Sequence, residues 1–459
     1  MTDQTELGAR IDALPSSWSV WRLVVLVSLG GIFEFYDLMM TAYVSPALVK
    51  AGLFHQGSAG LFGQSDQATF AAATFLGLFL GALLVARLAD RLGRRAVFTL
   101  SLVWYAGCTL AMAACVSALQ LDLLRLLSGV GIGVELVTID AYVAEAAPAR
   151  LRGRAFALNQ AIQFLAVPLV ALVAWKLSPL TVLGLAGWRW IMLIGASGAV
   201  AVWFIRARLP ESPRWLERAG YGREADALVS ALEKGATPKV FAPPWARNKA
   251  PETTPTRLSG LGEAFSPAYR RRTVMLVIFN IAQAIGFYGF GNWAPTLIAA
   301  QGHSVTKSLG YAFVIAAAYP LSPLIASLIA DRLERKVQII VAAVGTAVLG
   351  LIFSGQSAAA ALIALGVGVT FFSNLLSYAY HAYQSELYPT RMRASAVGFV
   401  YSFSRLSTVA SSYVIAALLG AFGGQAVFLF ISAAMAVVVL DVAILGPRTA
   451  GLGLEKISS

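Results

Sequence analysis

The sequence predicts an all-α membrane protein whose twelve transmembrane helices form two six-helix bundles related by pseudo-symmetry. Three observations carry this. Hydrophobic residues make up 58% of the 459 positions and charged residues only 13%, against roughly 25% charged in soluble domains, and the mean hydropathy is +0.71. Apolar stretches of about 20 residues, enough to cross roughly 30 Å of hydrocarbon, recur twelve times. Two charged motifs occur once in each half. Asp90-Arg91-Leu92-Gly93-Arg94-Arg95 is answered by Asp331-Arg332-Leu333-Glu334-Arg335-Lys336, and Glu145-x-x-Pro148 with Arg152 by Glu386-x-x-Pro389 with Arg393; both offsets (331 − 90 and 386 − 145) equal 241. Two matches at one offset mark a duplicated unit, and duplicated helical bundles build many secondary transporters.

The spans follow in order. The first, 21–44, holds Gly31-Ile-Phe-Glu34-Phe-Tyr36-Asp37, and the second, 68–89, runs into the Asp90 motif. The third, 96–117, carries Cys108 and Cys115, too far apart along one helix axis to bond each other and read as packing residues. The fourth, 121–144, contains Arg125, Gly129, Gly131, Gly133, Glu135 and Asp140 before the Glu145 motif. The fifth, 154–176, and the sixth, 188–207, complete the first bundle. A charged, proline-bearing segment separates it from the second, so the division is 1–207, a linker over 208–272 and 273–459. Within that linker, residues 211–233 read as an amphipathic helix at the membrane surface. The seventh span, 273–299, holds Gln283, Phe287, Tyr288, Asn292 and Trp293. The eighth, 308–330, leads into Asp331; the ninth is 337–356. The tenth, 358–385, carries Asn374, Tyr378 and His381, the eleventh, 394–418, carries Arg405, and the twelfth is 424–445.

A net charge of +12 raises the question of nucleic acid. The distribution answers it. Only Lys50, Lys176, Arg189 and Lys307 fall on the side away from the termini and Arg125 and Arg405 fall within spans, which leaves 29 of the 35 Lys and Arg residues on one face. That bias puts both termini in the cytoplasm, makes anionic headgroups the partner of the basic face and leaves no role for nucleic acid. The first 20 residues are polar, so no removable leader is expected. Three scattered histidines, His55, His303 and His381, give no metal-ligand spacing, and no serine elbow or phosphate-binding lysine loop is present. Neither enzyme activity, a metal nor a cofactor is expected.

Taken in order, the Asp90 motif, Arg125 with its glycines, Glu145-Ala-Ala-Pro148 with Arg152-Gly153-Arg154, Pro210-Glu-Ser-Pro-Arg-Trp and Glu386-Leu-Tyr-Pro389 resemble the major facilitator superfamily. Within it they resemble the branch of sugar porters, organic ion carriers and bacterial aromatic acid and niacin-type proton symporters. The resemblance spans 20–445. It departs at Ala86, where the first loop motif usually starts with Gly, and at Ser327 and Glu334, which replace both glycines of the second copy. It implies alternating access, a monomer in a bacterial inner membrane, and cytoplasmic gating charges at Asp90, Arg94, Glu145, Arg152, Asp331, Arg335, Glu386 and Arg393.

Charges inside spans are costly and mark function. Asp37 resembles the aspartate of proton-coupled sugar porters and Arg125 its arginine partner, so Asp37, Arg125, Glu34 and Glu135 are the candidates for proton coupling. A static ion pair between Asp37 and Arg125 is the other reading. Glu135 lies nearly three turns after Arg125, on roughly its face; Asp140 reads as structural. Gly129 and Gly133, four apart, read as a close helix contact rather than a nucleotide loop. Arg405 lies about 16 Å into its helix at 1.5 Å per residue, near the midplane, where a guanidinium suits a carboxylate; an internal pair with Glu135 or Glu34 is the alternative. Around it Tyr36, Gln283, Phe287, Tyr288, Asn292, Trp293, Asn374, Tyr378 and His381 make a mixed apolar and polar wall. These residues predict a proton-coupled importer of a small organic anion, an aromatic or heteroaromatic monocarboxylate. A sugar or neutral metabolite porter and a proton-driven efflux antiporter are the alternatives.

Overall fold

A computed structural model describes residues 3–55, 64–92, 94–236, 259–329, 333–388 and 390–448. Eighteen helices order the described residues: α1 Asp3–Ala13, α2 Trp18–Lys50, α3 Asp66–Leu92, α4 Arg94–Met112, α5 Ala118–Ala146, α6 Arg152–Phe164, α7 Ala166–Leu177, α8 Gly187–Ala207, α9 Pro213–Arg218, α10 Gly222–Glu233, α11 Ser259–Ala264, α12 Arg270–Gly291, α13 Ala294–Ala300, α14 Val305–Ala316, α15 Ala318–Ile329, α16 Arg335–Ser354, α17 Ala359–Glu386 and α18 Thr390–Leu445. A two-stranded hairpin, Thr181–Val182 with Leu185–Ala186, joins α7 to α8.

Eleven stretches are long and apolar enough to cross a membrane. The last is two spans. Helix α18, which carries it, has 56 residues and would reach about 84 Å at 1.5 Å per residue, far more than a bilayer, and it breaks at Gly423, whose φ of 77° and ψ of −176° only glycine adopts readily. Among the described residues twelve candidate crossings result, as the hydropathy predicts. The fifth crossing is α6 with α7, interrupted at Leu165, and the eighth is α14 with α15, interrupted at Ala317. In each a proline three residues on, Pro168 or Pro320, removes the N–H that would bond back across the break.

Small residues set how closely α3 and α5 approach. A Cβ built on Gly77 would lie 2.3 Å from the Leu126 carbonyl oxygen, and on Gly81 2.1 Å from that of Val130; on Gly129 it would meet the Thr74 carbonyl at 2.5 Å and on Gly133 that of Leu78 at 2.3 Å. The glycines of the fourth span are therefore a packing seam, as their spacing suggests.

The two halves share a core on one side only. The largest apolar cluster runs from Tyr36, Phe75 and Phe164 across to Phe290, Trp293 and Ile431, and α3 packs on α18 while α6 and α7 pack on α15 and α14. The ties between halves sit away from the termini: Gln67 Nε2 donates to Thr296 Oγ1 at 2.9 Å, and Trp175 stacks on Phe313 at 5.8 Å. Toward the termini the core splits, one cluster around Tyr142, Trp215 and Leu228 and another around Phe279, Tyr380 and Tyr388. Among the described residues the molecule is closed at the far face and parted at the face bearing the termini.

The linker differs from its sequence reading. Its amphipathic stretch breaks at Gly220, with φ of 82°, into α9 and α10. The apolar face of α10, Ala225, Leu228, Val229 and Leu232, is not left for lipid. It joins one core with Leu7, Ile11 and Leu14 of the α1 region, a helix not foreseen. Arg10 clamps the pair, with Nη1 2.6 Å from Asp226 Oδ1, Nη2 3.0 Å from Ser230 Oγ and Nε 2.9 Å from Glu233 Oε1.

Two predictions follow from this packing. Gly133→Ala overpacks the α3–α5 seam and should lower stability by about 1–3 kcal/mol, whereas Gly153→Ala, whose Cβ meets nothing within 4 Å, should be neutral or stabilising; thermal unfolding in detergent compares them. The Arg10 hydrogen bond holds the Glu233 carboxyl below its ordinary value of 4.5, so its share of α1 docking is complete above that value and is lost as pH falls through the lower folded one. A spin label at Ala9 should loosen in Arg10→Ala at neutral pH, and in the parent protein only below about 4.5.

Candidate transport site

The first charged site lies inside the first bundle. Arg125 on α5 is fully buried and Asp37 on α2 is 2% exposed, and Nη1 meets Asp37 Oδ2 at 3.0 Å. The remaining donors are also used: Nε gives to Thr74 Oγ1 at 2.9 Å, and Nη2 gives to Thr41 Oγ1 at 2.7 Å and to the backbone carbonyls of Asp37 and Leu38. The carboxylate accepts from Thr109 Oγ1 at 2.8 Å and Ser128 Oγ at 2.7 Å. Four polar residues from α2, α3, α4 and α5 complete the pair. A buried ion pair is tolerable only when its other hydrogen-bonding positions are satisfied in this way.

The other two candidates are placed differently. Glu34 is fully buried one turn earlier on α2. Glu135 is also fully buried but accepts from Ser101 Oγ at 3.3 Å on α4. Ten residues turn a helix through about 1,000°, which leaves Glu135 about 80° away from Arg125 rather than beneath it. It therefore does not join the Asp37 pair.

The second site is in the other half. Arg405 on α18 is 6% exposed, with Nη1 donating to Tyr288 Oη at 2.6 Å and Nη2 to Tyr401 Oη at 3.1 Å. Its guanidinium carbon sits 4.7 Å from the Tyr401 ring centroid. Among the described residues Arg405 makes no ion pair, so neither expected internal partner, Glu135 or Glu34, is used. Both phenol oxygens act here as acceptors, which leaves their own O–H groups to donate. Arginine and two phenols together make a cluster of donors, suited to an anion. His381 packs its ring 5.4 Å from Tyr401 and meets the Ser377 carbonyl through Nδ1 at 2.7 Å; a carbonyl can only accept, so the proton is on Nδ1.

The remaining wall residues divide. Phe287 lies edge-on to Tyr288 at 4.9 Å. Gln283, Asn292, Trp293 and Asn374 are buried and Tyr378 is half-buried. Neither amide atom of Asn374, nor Oδ1 of Asn292, has a hydrogen-bond partner among the described residues. Buried amides of this kind cost about 1–3 kcal/mol each while unpaired. Tyr36 departs from its expected role: it is fully buried, donates to the Ile191 carbonyl at 3.0 Å and packs against Gly195, all within the first bundle. Tyr401 was not anticipated, although it precedes Arg405 by four residues and so shares its helix face. Asp140 is solvent-exposed.

The two sites are linked through consecutive residues of α3. Thr74 receives the Arg125 Nε proton, and the ring of Phe75 meets that of Tyr288, edge to face, at 4.5 Å. At the face bearing the termini, Glu145 accepts from Ser212, the cap of α9, and Arg335 Nε lies 3.6 Å from Glu386. Arg152 and Arg214 both reach Asp12, at 3.3 and 2.8 Å. The side chains of Asp90, Arg94, Asp331 and Arg393 lie outside the described residues.

Comparison with known proteins places this geometry in context. The sugar (and other) transporter family model matches residues 23–459. The chain is 30% identical over 440 residues to a putative metabolite transport protein, YyaJ, of Bacillus subtilis, covering 96% of this chain and 95% of that one. It is 29% identical over 457 residues to the niacin transporter NiaP of Acinetobacter baylyi, covering 98% and 99%. The fold matches the xylose transporter XylE from E. coli in a partially occluded inward-open conformation, with a TM-score of 0.75 at 19% identity over 95% of this chain and 100% of that one.

The buried pair predicts its own mutational signature. Arg125→Gln strands the Asp37 carboxylate and should cost roughly 3–5 kcal/mol, while adding Asp37→Asn should recover most of that loss. Unfolding midpoints of the two single variants and the double variant measure the coupling; additive losses would mean that the two side chains do not stabilise one another.

Proposed function

Because this chain belongs to the sugar (and other) transporter family of the major facilitator superfamily, and is thus a membrane-spanning transporter of small metabolites and not an enzyme, we propose that it imports a small aromatic or heteroaromatic monocarboxylate together with a proton. One observation carries the reading: Arg405 is a buried cation with phenol partners and no acid partner among the described residues. Uncompensated charge inside a membrane protein is unfavourable. A substrate carboxylate supplies the missing countercharge, and aromatic walls at Tyr288, Tyr401 and Phe287 suit a flat ring. The similarity to a niacin transporter agrees with this substrate class.

Asp37 carries the proton in this reading. While Arg125, Thr109 and Ser128 hold it, the carboxylate stays ionised. A rearrangement that withdraws Arg125 leaves it in a poorly solvated interior, where a carboxyl takes up a proton. Thr74 and Phe75 give the two events a physical connection, since a shift of α3 disturbs both Arg125 and Tyr288. Coupling requires that substrate and proton favour the same state. The reading keeps bundles at 1–207 and 273–459 joined by the 208–272 linker, termini in the cytoplasm, a bacterial inner membrane and a monomer. Gating falls to Glu145, Arg152, Arg335 and Glu386, with Asp90, Arg94, Asp331 and Arg393. A neutral polar substrate is the second reading, favoured by the unpartnered Asn374 amide.

Uptake by proteoliposomes tests both. With an inward proton gradient, the protein should accumulate labelled benzoate or nicotinate. Arg405→Gln should lose at least about 30-fold of carboxylate uptake, the scale of removing one partner of a buried charge contact. Asp37→Asn should keep substrate exchange at equal concentrations but lose gradient-driven accumulation. Accumulation of a sugar with no uptake of either acid would overturn the proposal.

A further inference from the structure

Among the described residues Leu183 is the only non-glycine with positive φ. It stands at the tip of the hairpin between α7 and α8. Val182 pairs with Leu185, so Leu183 and Gly184 alone make the turn, with φ of 52° and 77°. Hairpin turns with two positive φ values favour Asn, Asp or Gly at the first position, and a leucine there is strained. Leu183 is also the most exposed large apolar side chain among the described residues, at 86%, and Leu180 and Leu185 are exposed beside it. No charged residue lies between Lys176 and Arg189. The hairpin is nevertheless firmly braced. Gly187 packs so closely that a Cβ there would collide with the Leu177 carbonyl oxygen, and Trp190 Nε1 donates to the Val182 carbonyl at 3.0 Å. Packing within the chain gives no reason for a braced, strained turn to hold three leucines outward.

We propose that this hairpin is a membrane anchor, with Leu180, Leu183 and Leu185 seated in the phospholipid leaflet at the face away from the termini. The hairpin joins the ends of two crossings, which places it at the membrane surface. Each of its feet carries a cation beside an indole: Lys176 Nζ lies 4.0 Å from the Trp175 ring centroid, and the Arg189 guanidinium carbon 4.3 Å from that of Trp188. Indoles are enriched at the depth of the lipid headgroups, and a lipid phosphate complements both cations. Trp190 makes the apolar surface continuous. It braces the hairpin and also lines the groove between α4 and α8, where Leu110, Val200 and Phe204 are exposed on membrane-spanning helices. An anchor at this point fixes the depth of α7, whose Trp175 stacks on Phe313 across the two halves.

Fluorescence quenching measures where the tip lies. The full chain carrying Cys108→Ala and Cys115→Ala takes a single nitrobenzoxadiazole label at Leu183→Cys and is placed in nanodiscs of phosphatidylethanolamine and phosphatidylglycerol, which leave both faces open to water. A label at Arg223→Cys, exposed on α10, is the water-facing control. Nitroxide-bearing lipids should quench the label at 183 at least about threefold more than the control, and aqueous iodide should quench it at least about threefold less, as burial of an apolar segment at the headgroup and acyl boundary requires. A label at Leu180→Cys, outside the strained turn, should behave in the same way. Iodide quenching at either hairpin position equal to that of the control would overturn the proposal, since the leucines would then face water. Protection from both iodide and lipid nitroxide would overturn it as well, because protein, either a second copy of this chain or another partner, would be covering the hairpin.

Discussion

A charge that enters the interior of a helical membrane bundle must be neutralised where it stands, because water is not there to do it. The structure depends on how that requirement is met at Arg125 and at Arg405. Around Arg125 and its partner Asp37 the bundle supplies four hydroxyls and two backbone carbonyls. The glycines at 77, 81, 129 and 133 are part of the same solution, since they let α5 press against α3 closely enough for the Thr74 hydroxyl to reach the guanidinium. Around Arg405 the bundle supplies hydroxyls only. One arginine is closed to further chemistry and the other remains open to it.

The same contrast separates the two faces. At the far face a single apolar core crosses between halves, and apolar surface held from water resists separation. Toward the termini each half has its own core, and several of the charges there have partners within their own half. Arg335 lies by Glu386, and Glu145 is taken by Ser212. Arg152, implied by resemblance as a gating charge, is engaged by Asp12 of the docked helix α1. Any closing of the face that bears the termini would therefore redirect contacts that the N-terminal helix helps to hold. Partly exposed pairs suit that task, because each is worth little individually and can exchange partners without stranding a buried charge.

Much of this was legible in the sequence, for reasons that also explain the rest. Hydrophobic length determines crossings, so the twelve spans and even the interruption near Gly423 could be read directly. The cost of intramembrane charge singled out Asp37, Arg125 and Arg405 before any coordinates. Helix phase was harder. Glu135 was placed by counting turns, and ten residues do not return to the same face. Tyr36 was placed in the wall around Arg405, but its hydroxyl donates to Ile191 within the first bundle. The polar face of α10 was visible, but an apolar stripe does not say whether lipid or protein covers it. Its partner, α1, had its own signal in Leu7, Ile11 and Leu14, spaced four and three apart as a helix face requires, hidden in a segment too polar to suggest a core.

The internal duplication explains why the sites differ. The repeated motifs lie at helix ends, where both halves perform the same mechanical task. Asp37 and Arg125 have Ile278 and Gly366 at the equivalent positions, and Arg405 has Phe164, so the two buried arginine sites stand on different copies of one frame. Separation of this kind is useful only if the copies can sense one another. On α3, consecutive residues point in different directions, and Thr74 turns inward to Arg125 while Phe75 turns outward to Tyr288. A rotation of α3 that lengthens the first contact must also displace the second. The helix that closes the glycine seam is thereby the element through which loss of the Asp37 partner can reach the phenol that holds Arg405.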